Sequence, residues 1–313
     1  MIEVNGLYKS YGLNAAVKDV SFKAEKGEIV GLVGRNGAGK STTMNMIAGY
    51  ISSDEGTVLI DGHDILLEPV EAKRSLGYMP EFPPLYTEMT VRGYLEFVCK
   101  LMSVPRADIP AHLKRIFDKV GLNEVSERLI ANLSKGYRQR VGIAGALCGD
   151  PANIMLDEPT SGLDPKQIVE IRRLIRSLGK NHTVIISSHI LKELADICTR
   201  FVIIDRGRVA ADGTLKDLLS RSREGRVLEL AVKGGADLTP RLMHIEGAAG
   251  VRRKELADGD GYLITERPGA DLSEAVSRAA SAAGAVVTLL RPLEYSLEDV
   301  FLELTENTTE VTA

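Results

Sequence analysis

Two rhythms of apolar and polar positions alternate along the first two thirds of this chain. Short, mostly aliphatic runs at Val20–Ala24, Ile29–Val33, Thr57–Ile60 and Ser75–Met79 predict strands, the first two joined by a turn at Glu25–Glu28. Ser41–Ala48 predicts a helix that stops at Gly49. From Thr90 to Ile130 the rhythm becomes helical only. Val91, Leu95, Val98 and Met102 form one stripe, and Leu113, Ile116, Phe117 and Val120 another. Leu133–Arg140 opens a helix that runs to about Cys148. Strand-like runs return at Ile154–Leu156, Thr183–Ile186 and Phe201–Ile204, with the bulk expected of buried parallel strands. Between them, Ile168, Ile171, Leu174, Ile175 and Leu178 share one face of a helix predicted over Pro165–Leu178, capped by Asp164 with Pro165 at its first position.

The pattern changes after Leu219. A polar stretch over 220–225 reads as a linker. Beyond it come a strand (Val227–Val232), a helix (Pro240–Ile245), two strands (Val251–Ala257 and Tyr262–Glu266), a helix (Leu272–Ala282) and a strand (Ala285–Leu290). A hairpin turn at Asp258–Gly261 would join the middle strands. That order predicts a split βαβ, ferredoxin-like domain. A last helix is expected at Ser296–Thr305.

Composition narrows the class. With 313 residues, 44% hydrophobic and 26% charged, the chain suits about two globular domains. Aromatics make up only 5% and Trp is missing, so the core must be aliphatic. The net charge of −4 lacks the basic excess usual in a nucleic-acid binder. The three Cys, at 99, 148 and 198, lack metal-ligand spacing and read as free thiols of a reducing compartment. Neither a signal peptide nor an apolar run long enough to span a bilayer is seen, so the chain is expected to be soluble and to need another protein to hold it at a membrane.

Candidate chemistry begins at Gly34-Arg-Asn-Gly-Ala-Gly-Lys40-Ser41, a G-x-x-x-x-G-K-S phosphate loop between a predicted strand and helix. Its glycines let backbone N–H groups turn toward phosphate oxygens, at a helix N-terminus that favours negative charge. Lys40 can then reach the β- and γ-phosphates, and the Ser41 hydroxyl can ligate Mg²⁺. A second element, Leu156-Asp157-Glu158, ends an apolar strand in two acids whose side chains diverge. Asp157 is assigned to Mg²⁺ and Glu158 to the attacking water.

Four further segments decide among phosphate-loop families: Tyr11-Gly12, the helix-opening Leu133–Arg140, Ser161-Gly162-Leu163-Asp164, and Ser187-Ser188-His189. In that order they resemble the ATP-binding subunit of an ATP-binding cassette (ABC) transporter over residues 1–219. The resemblance implies an α/β P-loop cassette with a helical subdomain at about 82–150, followed by the linker and a small C-terminal α+β ferredoxin-like domain at 226–313. It implies ATP and Mg²⁺ as cofactors. Tyr11 would stack on adenine, unless it is a plain surface aromatic. Gly34, Asn36, Gly37, Ala38, Gly39, Lys40, Ser41 and Thr42 would hold the phosphates. Ser134 and Gly136 would contact the γ-phosphate of a partner subunit's ATP. Asp164 would lie at the dimer interface, cap its helix, or both, and His189 would polarise the γ-phosphate and water. His63, His112, His182 and His244 match no motif and read as surface or packing residues.

Two positions depart from the family pattern. Glu81 stands where Gln is usual, in a loop that normally senses the metal, so its carboxylate is a candidate Mg²⁺ ligand, or else would repel the γ-phosphate oxygens unless metal or protonation offsets it. The signature reads Ser-Lys-Gly-Tyr rather than Ser-Gly-Gly-Gln. With Glu81–Tyr86, Met89–Arg92 and Ser296–Leu304, these features look like the ABC-2 export group, the type that includes gliding-motility and multidrug ATPases. The implied assembly is a homodimer bound to a separate membrane permease, without direct nucleic-acid contact, in the cytoplasm on the inner face of the membrane. The competing class is a soluble ABC ATPase acting as a regulator or on a nucleic-acid or ribosome partner.

Overall fold

A computed structural model of the chain describes residues 1–221, 227–234, 236–256, 259–267, 269–293 and 301. The chain divides into a body over Met1–Lys216 and a second body over Asp217–Glu303. The first contains strands β1 (Ile2–Tyr11), β2 (Asn14–Ala24), β3 (Ile29–Val33), β4 (Glu55–Ile60), β5 (His63–Asp64), β6 (Leu76–Met79), β7 (Asn153–Asp157), β8 (Thr183–Ser188), β9 (Arg200–Asp205) and β10 (Arg208–Gly213). Its helices are α1 (Lys40–Ile47), α2 (Pro69–Arg74), α3 (Val91–Leu101), α4 (Ile109–Val120), α5 (Lys135–Leu147), α6 (Pro165–Leu178) and α7 (Leu191–Ala195), and α8 (Leu215–Arg221) crosses the boundary between the bodies and reaches into the stretch read as linker.

Two sheets share one core. The larger runs β10-β9-β3-β8-β7-β6, parallel except for the β10 edge. Every residue of β3, β7 and β8 is buried, which is why their sequences are apolar without alternation. The smaller sheet, β2-β1-β4-β5, is antiparallel. Val20–Ala24 and Ile29–Val33 are therefore consecutive but not paired: the chain changes sheets at the Glu25–Glu28 turn. One cluster joins the layers, from Ile2, Val4 and Leu7 through Met44 and Ile47 of α1 to Val30, Ile185 and Val202.

The helical insert forms as its stripes predict. Leu113, Ile116, Phe117 and Val120 are all buried, and so are Val91 and Leu95, while Val98 and Met102 are half-buried. Thr90 caps α3 by accepting from Gly93 N at 3.1 Å. On α6, Asp164 accepts from Gln167 N at 2.9 Å, so its capping role is present.

The second body contains β11 (Val227–Lys233), α9 (Thr239–Met243), β12 (Ala248–Leu256), β13 (Gly259–Glu266), α10 (Ser273–Ala282) and β14 (Val286–Leu293). Its sheet order, β12-β13-β11-β14, is antiparallel throughout and is the split βαβ arrangement. Leu228, Leu230, Tyr262, Ile264 and Val276 form a core of its own. Gly259, Asp260 and Gly261, expected in the turn, instead open β13 and pair with Leu256, Glu255 and Lys254. Asp258, most of the linker and all of the predicted Ser296–Thr305 helix but Phe301 lie outside the described residues.

Candidate nucleotide site

Strand register gathers the candidate residues. Leu32 of β3 lies beside Ser187 of β8, and Ser187 beside Asp157 of β7. The carboxyl ends of three neighbouring parallel strands thus open together, where α/β sheets bind ligands. From β3 the chain enters the glycine loop, from β7 it reaches Glu158, and from β8 it reaches His189.

The loop requires its glycines. A Cβ at Gly34 would lie 2.4 Å from Ile204 O, and one at Gly39 would lie 2.6 Å from Ala16 O, with φ there at +107°. Gly39 is the residue before α1, so the helix begins directly at Lys40. Lys40 is buried, and its ammonium donates to Gly34 O at 2.6 Å and Arg35 O at 3.1 Å. Burial pulls the Lys40 pKa down, and the charges of Glu158, Asp157 and Glu81 oppose that shift.

A cleft of about 530 Å³ lies over this loop. Tyr11, Asn36, Gly37, Gly39, Lys40, Ser41, Thr42, Glu81, Glu158 and His189 line it. Gly34 and Ala38 do not: both are buried, and Ala38 joins the core between the sheets. Asp157 is buried beside the cleft, with Oδ1 accepting the Ser187 hydroxyl. Burial raises the pKa of Asp157 and Glu158; Ser187 and Lys40 oppose it at Asp157, and His189 and Lys40 do so at Glu158. His189 Nδ1 lies 2.9 Å from Glu158 Oε2.

Ser134 and Gly136 stand apart from this cleft. Ser134 caps α5, its hydroxyl accepting from Tyr137 N at 3.4 Å, and Gly136 lines another cavity with Tyr137, Asp164 and Gln167. Asn14 and Ala16, unmarked in the sequence reading, also line the nucleotide-sized cleft. The pairing of Tyr11 with Asn14 across a tight turn carries them there.

The donor set suits a nucleotide with a hard cation. Gly37, Gly39, Lys40 and Ser41 line one volume with Glu81 and Glu158. Among the described residues no three His, Cys, Asp or Glu side chains converge as a metal cage. Mg²⁺ is commonly held by one or two carboxylates together with phosphate oxygens and water, and Ser41, Asp157 and Glu81 offer donors of that kind.

Comparison with known proteins agrees with the geometry. The ABC transporter family profile matches residues 17–161. The linearmycin resistance ATP-binding protein LnrL of Bacillus subtilis (strain 168) is 35% identical over 235 residues, which is 75% of this chain and 76% of that one. A solved ATP-binding subunit of an ABC transporter superposes with a TM-score of 0.65 at 33% identity, covering 71% of this chain and 92% of its own. A dimeric ATP-binding cassette in a post-hydrolysis state, bound to ADP and Pi, superposes with a TM-score of 0.63 at 25% identity, covering 69% of this chain and 99% of its own. The chain belongs to the ABC transporter family, as an ATP-binding and ATP-hydrolysing transport subunit.

Proposed function

We propose that two copies of this chain pair head to tail around two ATP molecules and drive a separately encoded membrane permease in the direction of export. The observation that carries the reading is the cleft in which Lys40, Ser41, Glu158 and His189 meet without Ser134 or Gly136. A second copy would supply that missing wall. Its Ser134, at the N-terminal end of α5, would bring a hydroxyl and the positive end of a helix to the γ-phosphate. One structural relative is a dimeric cassette. No described helix is long and apolar enough to cross a membrane, so the reading assigns the membrane passage to another chain and places this one at the cytoplasmic face. The resistance named for LnrL and the ABC-2 features around Glu81 support export.

In this reading Tyr11 stacks on adenine, and the amides of Asn36, Gly37 and Gly39 to Thr42 cradle the phosphates together with Lys40. Ser41, Asp157 and Glu81 would hold Mg²⁺, which neutralises charge on the phosphate oxygens when bound. Glu158 takes the proton of the attacking water as its oxygen bonds to the γ-phosphorus and ADP leaves. Burial, by raising the pKa of Glu158, strengthens it as a base. Because His189 meets Glu158 through Nδ1, Nε2 is the ring atom left for the γ-phosphate.

Glu158→Gln tests the base and the dimer. Removing a general base should slow turnover by about 10²–10⁴-fold while ATP still binds. The variant should therefore accumulate as an ATP-loaded dimer on size-exclusion chromatography. Wild-type turnover would remove Glu158 from the role, and a slow variant that stays monomeric with ATP bound would remove the dimer.

A further inference from the structure

Four side-chain contacts lash the segment that ends β7 to the end of β8 and to the α7 helix that follows it. Ser187, fully buried, donates its one hydroxyl proton to Asp157 Oδ1 and accepts from Glu158 N–H at 3.0 Å. His189 then meets the Glu158 carboxylate. Farther along, the buried Thr160 donates its hydroxyl to Glu193 Oε2, on α7, at 2.5 Å. Glu158 lies between these outer contacts with φ at +47°, a left-handed conformation that is costly for a residue with a Cβ. Such a conformation persists where its surroundings over-determine it.

The geometry points to Ser187 and Glu193 as positioning residues for hydrolysis. Ser187 fixes the Glu158 amide, and Glu193 fixes Thr160 two residues on. The strained residue between them is thereby held with its carboxylate against His189. Neither residue lines the cleft: Glu193 acts through Thr160 and Glu158, and Ser187 through Glu158 and also through Asp157, which its hydroxyl holds. The inference rests on the proposed role of Glu158 as the base.

The full-length chain should be assayed as Ser187→Ala, Ser187→Thr, Thr160→Val, Glu193→Leu and Glu193→Gln. Thr160→Val and Glu193→Leu each break one contact and Ser187→Ala breaks two, and each should lower kcat by about tenfold or more, the loss expected for a positioning hydrogen bond of ~1.4 kcal/mol. In Thr160→Val and Glu193→Leu, KM for ATP and the binding of a fluorescent ATP analogue should stay within about twofold of wild type, because that contact reaches no residue assigned to phosphate or Mg²⁺. Ser187→Thr and Glu193→Gln keep a hydroxyl and an acceptor, and should keep most of the activity. In a Glu158→Gln background, Thr160→Val and Glu193→Leu should cause no further loss of rate, since the group they position is already gone. Full activity in the contact-breaking variants, beside a slow Glu158→Gln, would overturn this inference alone. Further losses in the Glu158→Gln background, or losses in KM rather than kcat, would also overturn it. If Glu158→Gln itself turns over normally, the role of Glu158 falls and takes this inference with it.

Discussion

A carboxylate at position 81 changes the charge balance of the cleft. Glu81 lines the same volume as Lys40, Ser41 and Glu158, and its charge is felt at the Lys40 ammonium. If it helps to hold Mg²⁺, Glu81→Gln removes one anionic donor and leaves the protein base intact. The variant should keep its maximal rate at saturating Mg²⁺. Its half-saturating Mg²⁺ concentration should rise by roughly tenfold, the low end for partners that support a metal site. Superimposable Mg²⁺ titrations of the two proteins would exclude Glu81 as a ligand. At this scale the sequence exposed the residues whose chemistry and spacing are unusual. Lys40, Ser41, Glu158 and His189 could be named because each sits in a short motif at the end of an apolar run. Asn14 and Ala16 could not, since neither has distinctive chemistry. They reach the cleft through the β1–β2 turn, and Ala16 through the close approach of its carbonyl to Gly39.

Elements meet most tightly where β6 passes the end of α5. A Cβ built on Gly77 would lie 1.8 Å from Ala146 O and 2.8 Å from its carbonyl carbon, both of them backbone atoms. The backbone at Gly77 is not left-handed, so the constraint there is space alone. Gly77→Ala must push β6 away from α5 and should cost about 3 kcal/mol, the upper range for overpacking. For a unit of this size that lowers Tm by roughly 6–12 °C, readable by calorimetry. An unchanged Tm would mean that the junction yields freely. The tightly packed strands are also the ones legible in advance: β3, β7, β8 and β9 lie within a few residues of their predicted places because burial on both faces demands unbroken apolar runs. Strand β1 escaped notice. Its pairing with β2 shifts register between Val4 and Leu7 and again near Tyr8 and Ser10, which breaks the period-two pattern. The β10 edge was hidden by the small and polar residues of Arg208–Gly213, and α2 and α7 are too short for a helical stripe to show.

At the scale of the whole molecule, two separate cores predict that the bodies can be parted. Removal of residues from Arg226 onward leaves the cluster around Met44 and Ile185 complete and deletes the one around Tyr262 and Val276. The truncated chain should fold and bind ATP, and aggregation with loss of binding would mean that the cassette depends on the deleted part. The head-to-tail dimer makes a sharper prediction. If each ATP lies between Lys40 of one copy and Ser134 of the other, Lys40→Ala disables both sites of its homodimer, and so does a bulky cation at the signature, Ser134→Arg. Mixing these two inactive proteins places both defects in one site of the heterodimer. The other site then pairs an intact phosphate loop with an intact Ser134, and ATPase activity should return on mixing. Chemical cross-linking checks that heterodimers form, with the permease present if the isolated subunits associate weakly. Heterodimers without activity at any ratio would mean that the two sites must fire together or that the site is not shared. Combining both substitutions in one chain and mixing it with wild type separates these cases. With shared sites that heterodimer carries one defect in each site and should be dead. With sites built inside single chains its wild-type half keeps working, so the activity that survives reports which chain completes the cleft.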